Sequence, residues 1–150
     1  MARPAAPLRL LAQDAEDLHV ISAALQDAVL KVGDLHWEGG ARRFTVAFNR
    51  YRWEAGRRPR ERVRSALKFG SVLDVKARHV RRDAPDGVLE LLAVSFEPSA
   101  TEEDPGGTVF LRFAGDADLR LTVEALDVAL ADVSQPWPAR GAPEHDLTAG

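Results

Sequence analysis

The chain is predicted to be α+β: a mainly antiparallel curved sheet or small barrel of about seven strands, with one helix near the N-terminus. Three features predict it. Only one segment spaces its apolar residues by three and four; nearly every later segment alternates apolar and polar residues with period two; and the alternating runs are joined by Gly-, Pro- and Asp-rich turns, without intervening helices. Strands joined in that way pair antiparallel.

Residues 8–12 are short and apolar and read as a strand. Asp14 then stands where a helix N-cap belongs, and Glu16 and Asp17 fall in the first turn, where carboxylates favour the positive end of the helix dipole. Leu18, Ile21, Leu25 and Val29 continue as the stripe of an amphipathic helix. The stretch "VLKVGDLHWEGGARRFTVAFNRYRWE" reads as two strands joined at Gly39 and Gly40, with Phe44, Val46 and Phe48 on the core face of the second. "EAGRRPRE" is a loop.

From Val63 the odd positions run Val63, Ser65, Leu67, Phe69, Ser71, Leu73, Val75 and Ala77, and the even positions carry most of the charge. A hairpin turning at Gly70 and Ser71 would set Leu67 opposite Asp74 and Lys68 opposite Leu73, mixing apolar and charged residues on both faces. One long strand over residues 62–78, bent at Gly70, fits the alternation better.

Pro85, Asp86 and Gly87 form a turn, and "VLELLAVSFE" after them is apolar on both faces, as in a central strand. Residues 98–107 form an acidic loop. Val109, Leu111 and Phe113, then Leu119, Leu121 and Val123, alternate on either side of "AGDAD" as a hairpin. Leu126, Val128 and Leu130 resume period two after a one-residue shift, which a bulge would supply; a helix is the competing reading of the same residues. Three prolines keep residues 135–150 out of either element, so this tail is read as extended or flexible, beyond a core of about residues 8–134 in a single domain.

The 150-residue length suits one domain, burying roughly 70% of the surface that its unfolded chain would expose. No cysteine occurs, which removes disulfides, thiolate nucleophiles and sulfur-ligated zinc and suits a reducing cytoplasm. No apolar run reaches the roughly 18 residues that a membrane helix needs, and the N-terminus lacks a signal-like apolar core, so no membrane role is expected. The net charge of −3 hides a segregation. Residues 42–82 hold fourteen of the twenty Lys and Arg and three acids (Glu54, Glu61, Asp74), a net of +11 that leaves −14 on the rest. Such blocks either pair across the fold or present opposite potentials to different partners.

Taken together, "LQDAVLKVGDL", "FTVAFNRYRWE", "RVRSALKFGSVLDV", "LAVSFEP" and "FAGDADLRLTVEALDVALADVSQPW", closing on "PEHD", resemble an uncharacterised alphaproteobacterial family, the domain of unknown function 2948. The resemblance runs from about Leu8 to Asp146. In that family the "FAGDADLRL" turn is often richer in glycine, and the position of Ala125 often holds cysteine, so no thiol role passes to this chain. The resemblance implies a soluble bacterial protein. It brings no activity and no site residue.

Function is therefore argued from the residues. The first expectation is a non-enzymatic cytoplasmic domain that binds a macromolecule, a partner protein or a second copy of itself, because segregated charge orients docking and edge strands can dimerise. The second is single-stranded RNA or DNA binding through residues 49–82: Arg57, Arg58, Arg60, Arg62, Arg64, Lys68 and Arg78 for phosphates, with Tyr51 and Trp53 on one strand face beside Asn49 for base stacking. The same pattern also describes a solvated sheet face whose arginines pair with carboxylates on neighbouring strands. The third is an enzyme or small-ligand binder with its site inside the curved sheet. No catalytic residue and no cofactor is assigned. His19, His36, His79 and His145 lack metal-ligand spacing, Asp116 and Asp118 with Glu102, Glu103 and Asp104 lack the order of a calcium loop, and no phosphate-binding glycine motif is present. Trp137, between two prolines, is read as an anchor for the tail.

Overall fold

The computed structural model describes residues 6–56 and 60–139. Within them the chain forms β1 (Arg9–Ala12), α1 (Ala15–Ala24), β2 (Val29–Lys31), β3 (Leu35–Glu38), β4 (Arg43–Tyr51), β5 (Glu61–Phe69), β6 (Val72–Arg78), β7 (Val88–Pro98), β8 (Gly107–Phe113), β9 (Ala117–Val123), β10 (Val128–Asp132) and β11 (Trp137–Pro138). All strand pairs are antiparallel. They make one sheet in the order β1-β10-β5-β4-β2-β7-β8-β9-β6, with β3 beside β4 and β11 beside β5. The α+β class with one helix holds. The sheet has eleven strands where about seven were expected, and it does not close into a barrel.

The helix starts as its sequence requires, with the Asp14 carboxylate accepting the Asp17 backbone N–H at 2.8 Å. Leu18, Ile21 and Leu25 are buried, while Ser22 Oγ accepts the Val94 backbone N–H on β7 at 2.9 Å. Val29 is not part of the stripe. The helix ends at Leu25, Asp27 takes a left-handed φ of 60°, and Val29 opens β2.

The single long strand over residues 62–78 is not what the chain forms. It breaks at Gly70 and Ser71, where Ser71 has a φ of 56°, and the two parts take different partners: β5 lies between β4 and β10, whereas β6 pairs with β9 alone. Nor is it a hairpin, since β5 and β6 do not pair with each other. The break is pinned by neighbours. Gly70 N–H donates to the Asp127 carbonyl, Val72 N–H to the Arg42 carbonyl and Glu124 N–H to the Ser71 carbonyl, all at 2.9 Å. A Cβ at Gly70 would stand 2.6 Å from the Asp127 carboxylate. Alternation reports which face a residue takes, not which strand lies beside it, so two strands sharing one parity look like one.

The β3–β4 hairpin forms as expected, its turn lengthened by a 3-10 turn over Gly39–Ala41 and by Arg42 at a φ of 53°. The β8–β9 hairpin also forms. Residues 128–132 are strand, not helix, but β10 does not prolong β9 through a bulge: residues 124–127 carry the chain across to pair with β5 and β1. β7 is central, yet it is not buried on both faces, because Val88 and Leu92 are exposed. The tail does not stay out of every element: Trp137 and Pro138 form a short strand paired with Arg62 and Glu61, with the Trp137 side chain exposed, and His145 and Asp146 lie outside the described residues.

The core is built from side chains stacked in register across strands. Leu10, Leu130, Leu67, Val46 and Leu35 form one core-facing row; Ala12, Val128, Phe69, Phe44 and Trp37 form the next. From the other half of the sheet come Phe96, Val109, Leu121 and Val75, and then Val94, Leu111, Leu119 and Ala77. Both halves contribute to one continuous apolar cluster, so the sheet curls over itself. Close backbone approach limits one position. A Cβ on Gly107 would overlap the Glu97 carbonyl oxygen and come within 2.9 Å of the Phe96 ring. Gly107→Ala is expected to destabilise the fold by about 1–3 kcal/mol, measured as a lowered midpoint in urea unfolding.

Candidate functional site

The basic segment does not form one face. Arg62, Arg64 and Lys68 lie on the outer side of β5, and Arg78 lies on β6 in the other half of the sheet. Most of these side chains already have partners. Arg64 donates to the Asp34 carboxylate at 3.0 Å and the Asn49 amide oxygen at 3.1 Å, and Arg62 reaches the Asn49 carbonyl at 3.4 Å. Arg78 donates to Asp118 at 2.7 Å and Asp116 at 3.1 Å; the hydrogen bond to Asp118, then the charges of Asp116 and Asp118, raise its pKa above the ordinary arginine value. Lys68 and Arg60 are exposed without an ion pair among the described residues, and Arg57 and Arg58 lie outside those residues.

Nor do Tyr51 and Trp53 share a strand face. β4 ends at Tyr51, which is 3% exposed, and Trp53 sits in a 3-10 turn over Trp53–Ala55, its ring 4.7 Å from that of Tyr51 at 60°. Trp53 Nε1 donates to the Gln26 carbonyl at 3.2 Å. The pair wedges the turn against the α1–β2 connection, and the Tyr51 ring has no free face on which a base could stack.

A group that sequence analysis passed over is the best organised polar site in the molecule. Arg50 is wholly buried, on the same side of β4 as Phe44, Val46 and Phe48. Its guanidinium donates to both oxygens of Asp132 at 2.9 and 3.0 Å, to both oxygens of Glu54 at 2.8 and 2.7 Å, and to Ser65 Oγ at 2.9 Å. Asp132 also accepts the Ser65 hydroxyl at 2.7 Å and the Leu8 backbone N–H at 2.8 Å. Every oxygen and nitrogen has at least one partner, which suits a structural tie. The signal was present: period two through Phe44, Val46 and Phe48 places residue 50 inward.

The open feature lies where the core-facing rows end. Among the described residues β3 pairs only with β4 and β6 only with β9, and between their edges runs a cleft of about 340 Å³ lined by Leu35, Trp37, Phe44, Val75, Ala77 and Val80. Loop 79–87 holds one side: Gly33 N–H donates to the Pro85 carbonyl at 2.8 Å and Val32 N–H to the Gly87 carbonyl at 2.8 Å. Trp37 is 41% exposed, and no strand lies beyond β3 among the described residues. Arg82 also lines the cleft and is exposed, without an ion pair among the described residues. In those residues no three His, Asp or Glu side chains gather to hold a metal ion, and no helix is long and apolar enough to cross a membrane. The cleft can bury apolar side chains and offer two strand edges. It carries no acid–base pair.

Two measurements test the buried cluster. Asp132→Ala, which strands the Arg50 charge, is expected to cost about 3–5 kcal/mol, whereas the joint change Arg50→Met with Asp132→Leu should cost much less, both read by urea unfolding. Burial alone would push the Glu54 carboxyl up, but hydrogen bonds from Arg50 and the backbone, with the charges of Arg50 and Arg52, hold it below its ordinary value of 4.5. The stability this carboxylate supplies is therefore full above pH 4.5 and is lost as pH falls through its lower folded value. Glu54→Gln should flatten that acid limb in a series of melts.

No curated protein and no solved structure matches the chain. A family model, described as a protein of unknown function, matches residues 8–145. The chain thus belongs to the DUF2948 family, whose span takes in the buried Arg50 cluster and both edges of the cleft.

Proposed function

We propose that this protein is a non-enzymatic binding domain whose partner is another protein, received at the seam between β3 and β6. One observation carries the reading: four core-facing rows of side chains run out at two strand edges beside which no further strand lies among the described residues. Unpaired edges beside an apolar groove are what strand-adding recognition uses, with backbone hydrogen bonds for affinity and alternate side chains for specificity. Trp37 at one wall is the kind of large aromatic residue that anchors interfaces.

The charge pattern favours a protein over nucleic acid as partner. Arg42, Arg50, Arg64 and Arg78 each pair with an acid from outside the basic segment, so part of its charge is matched inside the fold and the segment offers no single unpaired basic face. An enzyme reading gains little. Arg50, Glu54 and Arg78, the groups whose titration is shifted, all sit in ion pairs and none lines the cleft. The interior itself is filled, with Phe48, Leu67, Leu111 and Leu121 fully buried.

Photocrosslinking tests this. With a benzophenone side chain at position 37, irradiation of cells making the protein should give a discrete protein adduct that the same group at exposed His19 does not give. Ala77→Glu, which puts a charge into the cleft, should remove the adduct. An adduct of twice the chain's mass identifies a second copy as the partner. Equal labelling from both positions, or none from position 37, would overturn the docking site.

A further inference from the structure

The seam also specifies the chemistry of what enters it, an inference that rests on the docking site just proposed. Of its two edges, β6 is the longer, seven residues against the four of β3, and its inward and outward residues differ sharply. Val75 and Ala77 face the cleft, level with Leu121 and Leu119. Lys76 points to the outer face, directly opposite Arg120 on β9. Like charges opposite each other on one face of a sheet repel. Arg120 finds partial relief in Asp118 at 3.7 Å and in the Phe110 ring, whereas Lys76 has no ion pair among the described residues. At the far end of β6, Arg78 and His79 are already engaged with Asp116 and Asp118. Arg82, which has no ion pair among the described residues, lines the cleft itself. Asp74 and Glu38 are the acids nearest in the two strands, and Glu38 is held toward Arg43 at 4.0 Å.

We infer that the seam takes an extended acidic segment of a partner protein, added as a strand along the free edge of β6. Side chains of a strand alternate between the two faces, so a residue beside Val75 or Ala77 enters the cleft and a residue beside Lys76 stands outside. The segment that fits therefore carries an acid where it passes Lys76, between apolar residues that enter the cleft. Its apolar side chains fill the space between Trp37 and Val75, and a carboxylate beside Lys76 relieves the repulsion from Arg120. Arg82 supplies a second positive group along the same groove.

The probe is a synthetic ten-residue peptide alternating valine and glutamate, with a valine–lysine peptide as its counterpart, titrated into the full-length protein while backbone amide NMR signals are followed. Shifts and slowed amide exchange should concentrate in β6 and β3, and the glutamate peptide should bind about tenfold more tightly than the lysine peptide. Lys76→Glu, a change at an exposed unpaired side chain, should shrink or reverse that preference. Glutamate peptides N-methylated on alternate residues separate backbone pairing from simple apolar contact: one set of methyl positions should abolish binding and the other should leave it. If both peptides bind β6 equally and Lys76→Glu alters neither, the acidic chemistry is wrong while the docking site stands. If neither N-methyl set weakens binding, strand addition is wrong. If the glutamate peptide does not perturb β6 or β3, the inference is overturned, and position 37 crosslinking then decides separately whether the seam binds protein at all.

Discussion

The arrangement of the first half of the sheet depends on one buried guanidinium. Arg50 faces the core where an apolar residue would continue the row pattern, and a charge placed there must be matched or it would unfold the region. The match comes from Asp132 on β10, Ser65 on β5 and Glu54 in the 3-10 turn after β4, and Asp132 in turn holds the backbone of Leu8 ahead of β1. Four strands are thereby set in register by a single polar contact set. A shift of β10 by one residue would send Asp132 to the outer face and leave Arg50 with an unmatched charge. Such a cluster adds little net stability compared with apolar side chains of the same volume, but it discriminates strongly against wrong pairings.

The same logic explains how a mildly acidic chain carries a strongly basic segment. Arginines on β4, β5 and β6, with Arg42 in the turn before β4, reach across to Asp34, Asp116, Asp118, Glu124 and Asp132, all outside that segment. Several of these pairs lie at the surface, where each contributes only about 0–1 kcal/mol. Their effect is more on pairing choice than on stability, since they bring the two oppositely charged parts of the chain together in one arrangement.

Curvature without closure is the other feature that shapes the candidate site. The sheet bends enough for both halves to bury one cluster, and each half ends in a strand with a free edge. The edges are moderated by features that discourage indiscriminate pairing: β3 has only four residues, β6 has a register shift between Val72 and Asp74, and charged side chains line its outer face. What remains open is a limited apolar groove with a tryptophan at one wall, which suits selective recognition better than aggregation.

Much of the fold was legible in the sequence, because helix caps, hairpin turns and face alternation are local. Asp14 capping, the two hairpins and the inward faces of β4, β8 and β9 all follow from residues near each other in the chain. Even the inward direction of Arg50 was implied by its parity with Phe48. Strand partners are a different matter. The break at Gly70 and Ser71 leaves alternation intact, so only the long-range pairing of β5 with β10 and of β6 with β9 separates the two strands. The candidate site is likewise a product of assembly: Trp37 and Val75 are far apart in the chain and come to line one cleft only in the curled sheet, which stops short of closing. The sequence by itself determined which residues face inward, through steric and solvation preferences that act over a few residues. Only the tertiary structure decided which carboxylate neutralises which arginine and where the sheet is left open, because both depend on which strands lie side by side.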